Sequence, residues 1–142
     1  MILIDANILL YAYNTSSERF EAARSWLEAR LADQDEPVGF SLVSLLAFLR
    51  LGTSRSVFQR PLKVERAVDI VNSWLEVPHT RLVQPTARHW SLLRSLSERG
   101  QASGALLMDA HLAALAIEHG ALLCSTDRDF SRFPGLRFED PL

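Results

Sequence analysis

Five residues in this 142-residue chain stand where a fold could gather them for chemistry: Asp5, Asn7, Asp109, Asp127 and Asp129. Asp5 ends the apolar run Met1-Ile2-Leu3-Ile4, Asp109 opens a strongly apolar helical segment, and Asp127 and Asp129 follow the apolar run Ala121–Cys124. Each has an ordinary explanation. Asp5 suits a turn cap and Asp109 a helix cap, and the Asp127/Asp129 pair could cap a last helical turn. As a set they imply more. Carboxylates crowded into a partly dry cleft raise one another's pKa. A hard divalent cation such as Mg²⁺ or Mn²⁺, which prefers carboxylate and water ligands, relieves that conflict. Such an ion keeps several waters, can orient one as a nucleophile and can stabilise charge on a phosphodiester oxygen. Asn7 is expected to support the acids by hydrogen bonding rather than to ligate.

The elements that must position these groups are readable from periodicity. A short continuous apolar run suits a strand covered on both faces, and Ile2–Ile4, Val38–Phe40, Arg81–Gln84 and Ala121–Cys124 are candidate strands. Between them lie helical patterns. One covers Glu18–Ala32, with Phe20, Ala23, Leu27 and Leu31 on one face and a capping-box spacing at Thr15 and Glu18. A second runs from Ser41 to Leu51 and is closed by Gly52. A third carries Val64, Ala67, Val68, Val71 and Leu75, and a fourth, Thr86–Arg99, is expected to point Trp90, Leu93 and Leu96 inward and to end at Gly100. The last, Met108–His119, is apolar nearly all round and therefore central. Phe133–Phe138 reads as a closing turn and edge strand. Short strands alternating with helices predict crossover units, hence an α/β fold in three layers, α/β/α, with a mainly parallel central sheet. In such sheets chemistry gathers beyond the carboxyl ends of the strands, where three separate segments of this chain would present acids.

Length and composition set bounds. Residues 1–142 are expected to form a single domain, with 48% hydrophobic residues to fill its core and 23% charged residues for its surface. No segment has membrane-spanning length, and no basic region precedes the N-terminal apolar run, so neither a membrane span nor a signal peptide is expected. The lone Cys124 excludes a disulfide within the chain and favours a cytoplasmic location. The net charge of −2 leaves nucleic acid open, since a basic patch can coexist with an acidic pocket. Such a patch is present. Arg50, Arg55, Arg60, Lys63 and Arg66 face only Glu65 over residues 50–66, and they make a credible phosphate track beside an acidic metal site. A nucleophile elbow and a phosphate-cradling P-loop are absent, and His79, His89, His111 and His119 show no zinc spacing with the cysteine. His111 should point away from Asp109 on an ideal helix, and Trp26, Trp74 and Trp90 fall on apolar helix faces that suit a core.

With these residues in view, Ile-Asp5-Ala-Asn7-Ile-Leu-Leu-Tyr, Asp109-Ala-His-Leu-Ala-Ala-Leu-Ala and Ser-Thr-Asp127-Arg-Asp129-Phe resemble the motifs of PIN-domain nucleases. Within that family the chain is most similar to the VapC toxins of bacterial toxin–antitoxin pairs, in motif order and over essentially its whole length. The resemblance implies Mg²⁺- or Mn²⁺-dependent cleavage of RNA, a homodimer, and inhibition by a VapB-type antitoxin whose C-terminal segment enters the active site. Carried over by position, Asp5 and Asp109 would be the principal metal ligands. Asp127 would complete the pocket with Asp129 beside it, and Asn7 and Thr126 would orient carboxylates and waters. One position departs from the pattern. The family commonly has a glutamate three residues before an arginine in the second conserved helix, and here Ala47 precedes Arg50. Losing that carboxylate should weaken metal binding, above all at any second site.

Two further readings compete. Ala47 also suits an inactive module that keeps only RNA or antitoxin binding. Phosphoryl transfer to Asp5 would place an acid after an early strand too, but it calls for a nearby lysine, and the only one is Lys63 in an expected loop.

Overall fold

Ile2, Leu3 and Ile4 form the central strand β1 (Ile2–Ile4) of a five-stranded sheet, buried on both faces as their continuous apolar character requires. The computed structural model describes residues 1–142. After β1 the chain forms α1 (Ala6–Tyr11), α2 (Phe20–Ala32), β2 (Val38–Ser41), α3 (Leu42–Gly52), α4 (Val64–Leu75) and β3 (Thr80–Val83). It continues through α5 (His89–Arg99), α6 (Leu106–Glu118), β4 (Leu122–Cys124), a 3-10 helix (Arg128–Arg132) and β5 (Phe138–Glu139). The strand order is β3-β2-β1-β4-β5 and every pair is parallel. The sheet leaves β1 in both directions, so the crevice between the ends of β1 and β4 is a topological switch point, the usual place for a ligand in such folds. No helix is long and apolar enough to cross a membrane.

Alternation along the strands divides the core in two. Ile2, Ile4, Val38, Phe40 and Cys124 face α1–α4, where Phe40 stacks on Trp74 at 5.6 Å and Phe48 and Tyr13 pack round the same indole. Leu3, Val83 and Leu123 face α5, α6 and the 3-10 helix. This is the expected three-layer arrangement, and the sheet is wholly rather than mainly parallel. In α6, Ala110 and Leu112–Ala116 are buried, which accounts for its nearly all-round apolar sequence.

Several helix starts differ from expectation. Thr15 and Glu18 form no capping box. Arg19 precedes α2 without a side-chain cap, and the turn before it is held by Asn14 Oδ1, which accepts from Ser16 N, and by Ser17 Oγ, which accepts from Arg19 N. Asx and Ser turns of this kind compete with helical caps. α5 begins at His89 rather than Thr86. Leu96 is buried as expected, whereas Trp90 is 76% exposed, a reversal of its expected inward orientation. Of the other two tryptophans, Trp74 is buried and Trp26 half-buried. Gly100 ends α5, yet its φ of −83° is open to any residue and the left-handed turn falls on Gln101. Glycine is needed at 100 for space: a Cβ there would lie 2.8 Å from the Leu96 carbonyl oxygen and 2.9 Å from the Phe133 ring.

Candidate active site

β1 and β4 are in register, Ile4 beside Cys124, so the residues that follow them emerge side by side. Asp5 N donates to the Cys124 carbonyl, extending the ladder by one bond (3.0 Å) and fixing the backbone of the first acid. Asp5 then caps α1: its Oδ1 accepts from Ala6 N at 2.7 Å. The ordinary reading of Asp5 as a cap is therefore correct, and it leaves the second oxygen for other work.

That oxygen, Oδ2, accepts a 2.7 Å hydrogen bond from the hydroxyl of Ser125. Ser125 is fully buried, and its oxygen also accepts from Asn7 Nδ2 and from Asp127 N, each at 3.0 Å. One donated and two accepted bonds satisfy a hydroxyl completely. Asn7 Oδ1 in turn accepts from Thr126 N at 3.5 Å. Asn7 therefore bonds Ser125 and the Thr126 amide rather than an acid directly, and the hydroxyl that reaches Asp5 is that of Ser125. The signal for Ser125 was its place as the first polar residue after the β4 run.

Asp127 caps the 3-10 helix, with Oδ1 accepting from Asp129 N at 2.8 Å. Asp129 itself points to the rim, where Oδ1 pairs with Arg132 at 3.3 Å. Arg132, which the sequence reading missed, also donates to the Gly100 carbonyl and so ties this rim to the end of α5.

Asp109 does not cap its helix. α6 starts three residues earlier, and Asp109 sits in its first turn. Burial raises its pKa to about 6, reinforced by Asp127, Asp5 and Asp129, while Arg132 pulls the other way. No hydrogen bond offsets these effects. Burial also raises the pKa of Asp5, with Asp127 adding to it, against the bonds from Ser125 and Ala6. The electrostatics therefore bring Asp5, Asp109, Asp127 and Asp129 into one negative cluster.

Their oxygen donors are those a hard cation prefers, and a half-buried, unbonded Asp109 facing three acids is a group that lacks a positive partner. The donor set fits Mg²⁺ or Mn²⁺. No three His, Cys, Asp or Glu side chains form a ready-made cage, so water would supply the remaining ligands, as Mg²⁺ favours.

The other sequence candidates lie apart. Ala47, half-buried on α3, walls a depression with Val43, Leu46, Arg50 and Met108, so the position expected to carry an acid belongs to an apolar surface. Arg50, Arg55 and Arg60 are exposed, and no ion pair engages any of them. Lys63 is an exposed residue preceding α4. His111 turns from the acids into a second polar network: His89 Nε2 lies 2.8 Å from its Nδ1, and His89 Nδ1 lies 2.6 Å from Glu118.

Comparison with known proteins bears on the family and the fold. The model of the PIN domain family matches residues 2–136. Ribonuclease VapC37 of Mycobacterium tuberculosis is 46% identical over 141 residues, covering 99% of this chain and 97% of that protein. Ribonuclease VapC43 of the same organism is 39% identical over 142 residues, covering 100% and 96%. Among solved structures, DNA-bound VapBC from Salmonella typhimurium has a TM-score of 0.67 at 20% identity, with 100% of both chains covered. M. tuberculosis VapC20, described as a sarcin-ricin loop cleaving toxin, has a TM-score of 0.65 at 20% identity, covering 96% of this chain and 99% of its own; both likenesses are of fold. Matched along nearly its whole length in sequence and in fold, the chain belongs to the PIN-domain family, among its VapC members.

Proposed function

We propose that the chain is the toxin of a toxin–antitoxin pair, a single-domain cytoplasmic endoribonuclease that hydrolyses RNA phosphodiester bonds with Mg²⁺ or Mn²⁺. It acts as a homodimer and is held in check by a VapB-type antitoxin. The observation that carries this reading is the four-carboxylate cluster at the switch point of the sheet, supported by relatives named as ribonucleases over the full chain.

Asp5, Asp109 and Asp127 would hold the ion, and Asp129 would shape the rim. When bound, the ion supplies an activated water and stabilises the charge that develops on the phosphoryl oxygens. The chain's own residues do the positioning. Ser125 locks Oδ2 of Asp5 through one hydrogen bond and is itself locked by Asn7 and the Asp127 amide. Asp109 keeps both oxygens free of protein donors, so they are available without breaking a bond. The exposed Arg50, Arg55 and Arg60 neutralise phosphates of the RNA beyond the scissile bond.

The decisive assay is total cellular RNA incubated with the purified chain and Mg²⁺, Mn²⁺ or chelator, beside Asp5→Ala. Discrete metal-dependent fragments missing with Asp5→Ala are expected, and end mapping then gives the target. Intact RNA under every condition, with folded protein, would instead favour the binding module that Ala47 suggests.

A further inference from the structure

Three segments bring the four acids together, and two side chains pin the segments to one another. Ser125 joins the Asp5 end of β1 to the Asp127 amide beyond β4. The third segment is the turn from α5 into α6, which leads to Asp109, and Arg132 holds it. Arg132 is the last residue of the 3-10 helix, and its guanidinium donates in three directions. Nε reaches the Asp129 carbonyl at 3.2 Å, Nη2 the Asp129 carboxylate at 3.3 Å, and Nη1 the Gly100 carbonyl at 3.1 Å. Only 31% of the side chain is exposed, and the bond to Gly100 spans 32 residues of sequence, unlike a surface pair within one turn. The Gly100 end suits this bond, because the last carbonyls of a helix have no partner within it. Gln101 N donates to the Glu98 carbonyl and Ala102 N to the Ser97 carbonyl, the paired bonds of a Schellman turn. Such a turn needs a left-handed residue, and that place falls on Gln101, φ 49°, where glycine is usual. The glycine stands one place earlier, where the Phe133 ring leaves no room for a Cβ. Phe133 and the Arg132 fork therefore hold the turn in a conformation its own sequence disfavours. Residues 102–105 then lead into α6, with Asp109 in its first turn.

We propose that Arg132 is a positioning residue of the metal site: its fork sets where the Asp109 segment stands relative to Asp127 and Asp129. The proposal rests on the metal-dependent reading above. A guanidinium beside four acids has two opposed effects on a bound cation. Its charge repels the ion. Its fork keeps the ligand segments in place, and loss of an outer-shell partner of this kind costs about 10–100-fold in metal affinity. The fork is the larger effect, because three hydrogen bonds depend on it while the partly exposed charge is screened by water and salt. Lysine separates the two, since it keeps the charge but cannot form the fork.

The test is Mn²⁺ binding to the chain without RNA, followed by electron paramagnetic resonance of the free ion, beside thermal melting of the same samples. Arg132→Lys and Arg132→Gln are both expected to weaken Mn²⁺ binding at least about tenfold. Phe138→Ala removes a ring that packs on Phe130 of the 3-10 helix and touches no part of the fork. It is expected to melt lower but to bind Mn²⁺ within about twofold of wild type, because it leaves a cavity and no lost ligand support. Arg132→Lys alone serves if Arg132→Gln does not fold. Tighter binding by Arg132→Gln with wild-type affinity in Arg132→Lys overturns the proposal, since Arg132 then acts by charge alone. Unchanged affinity in both variants overturns it too, as does an equal loss in Phe138→Ala, which traces the effect to loose packing. A wild type that binds no Mn²⁺ overturns the metal reading and the proposal together, whereas a wild type that binds it while the Arg132 variants bind as well overturns the proposal alone.

Discussion

Ser125 holds three groups with one hydroxyl, and all three belong to the acid cluster: Asp5 Oδ2, Asn7 Nδ2 and the amide of Asp127. Ser125→Ala keeps the volume nearly constant but frees the Asp5 carboxylate and leaves two donors unpaired. Metal affinity should fall about 10–100-fold, as it does when an outer-shell partner is lost, with a stability loss of about 1–3 kcal/mol. Mg²⁺ titration and thermal melting of the same sample measure both, and an unchanged affinity would demote Ser125 to a packing role. Asp109 gives a pH prediction. Its pKa is raised to about 6 in the fold, and a raised carboxylate stabilises the native state most when protonated. That contribution is complete below the ordinary carboxylate pKa and is lost as pH rises through about 6. Metal-free protein should therefore melt higher near pH 5 than near pH 7.5 as far as this group is concerned. Asp109→Asn should raise the melting temperature near pH 7.5 and flatten that part of the profile. Mg²⁺ should stabilise wild type near pH 7.5 and do little near pH 5, because a protonated carboxyl is a poor ligand. The acids stand out in the sequence because Asp5 ends an apolar run, Asp109 opens one, and Asp127 and Asp129 follow one. Ser125 was not separable from Thr126, because that choice turns on the residue at which β4 stops, and strand ends are poorly marked in sequence.

Among the elements, α5 and α6 show where a pattern misleads. Trp90 occupies an apolar register with Leu93 and Leu96, yet the helix begins three residues later than its pattern suggests and turns Trp90 outward. What anchors α5 is a polar chain that periodicity does not reveal. His89, nearly buried, lies between His111 of α6 and Glu118, whose carboxylate is enclosed. Burial by itself would raise the pKa of Glu118, but hydrogen bonds from Thr86 and His89 outweigh it and hold the group below its ordinary value. His89→Ala leaves an enclosed charge with Thr86 alone. The loss should be about 3 kcal/mol, or roughly 10 °C in melting temperature. Differential scanning calorimetry of His89→Ala, Glu118→Gln and the double variant gives the coupling, and additive losses would show that the pair does not act as a unit. Gly100 is a separate case. The pattern marks it as the C-terminal cap of α5, and it is required there because Leu96 and Phe133 leave no space for a Cβ. Gly100→Ala should cost about 1–3 kcal/mol through overpacking. β1, β2 and β4 needed little correction, since a short apolar run covered on both faces has few alternatives, whereas β3, with Arg81 and Leu82 exposed, runs over Thr80–Val83 rather than Arg81–Gln84.

Charge sorting is a property of the whole molecule. The chain carries 15 basic and 17 acidic residues, yet residues 50–66 hold five basic residues and only Glu65, leaving 10 basic against 16 acidic elsewhere. An acidic protein with the proposed activity would need its cations where an RNA backbone passes and its anions where a metal can screen them, and the two signs are separated along this sequence in that way. The segregation was legible from sequence because it is local in the chain. The direction of the RNA path was not, since it depends on how α3 lies against the Asp109 end of α6. In the structure Arg50 of α3 and Met108 of α6 wall the same depression, apart from the acids themselves. Binding of single-stranded RNA to the cleavage-deficient Asp5→Ala protein should then weaken steeply with salt. Each of Arg50, Arg55 and Arg60 that contacts a phosphate contributes about 0.7 to the slope of log affinity against log salt. Arg55→Ala and Arg60→Ala should each flatten the slope by about that amount without altering which RNA is preferred, because phosphate contacts carry no sequence information. The loss should be nearly the same for cleaved and uncleaved sequences. A slope identical to that of the parent would place the RNA path elsewhere, and a loss confined to one sequence would make the arginine a reader of bases rather than of backbone.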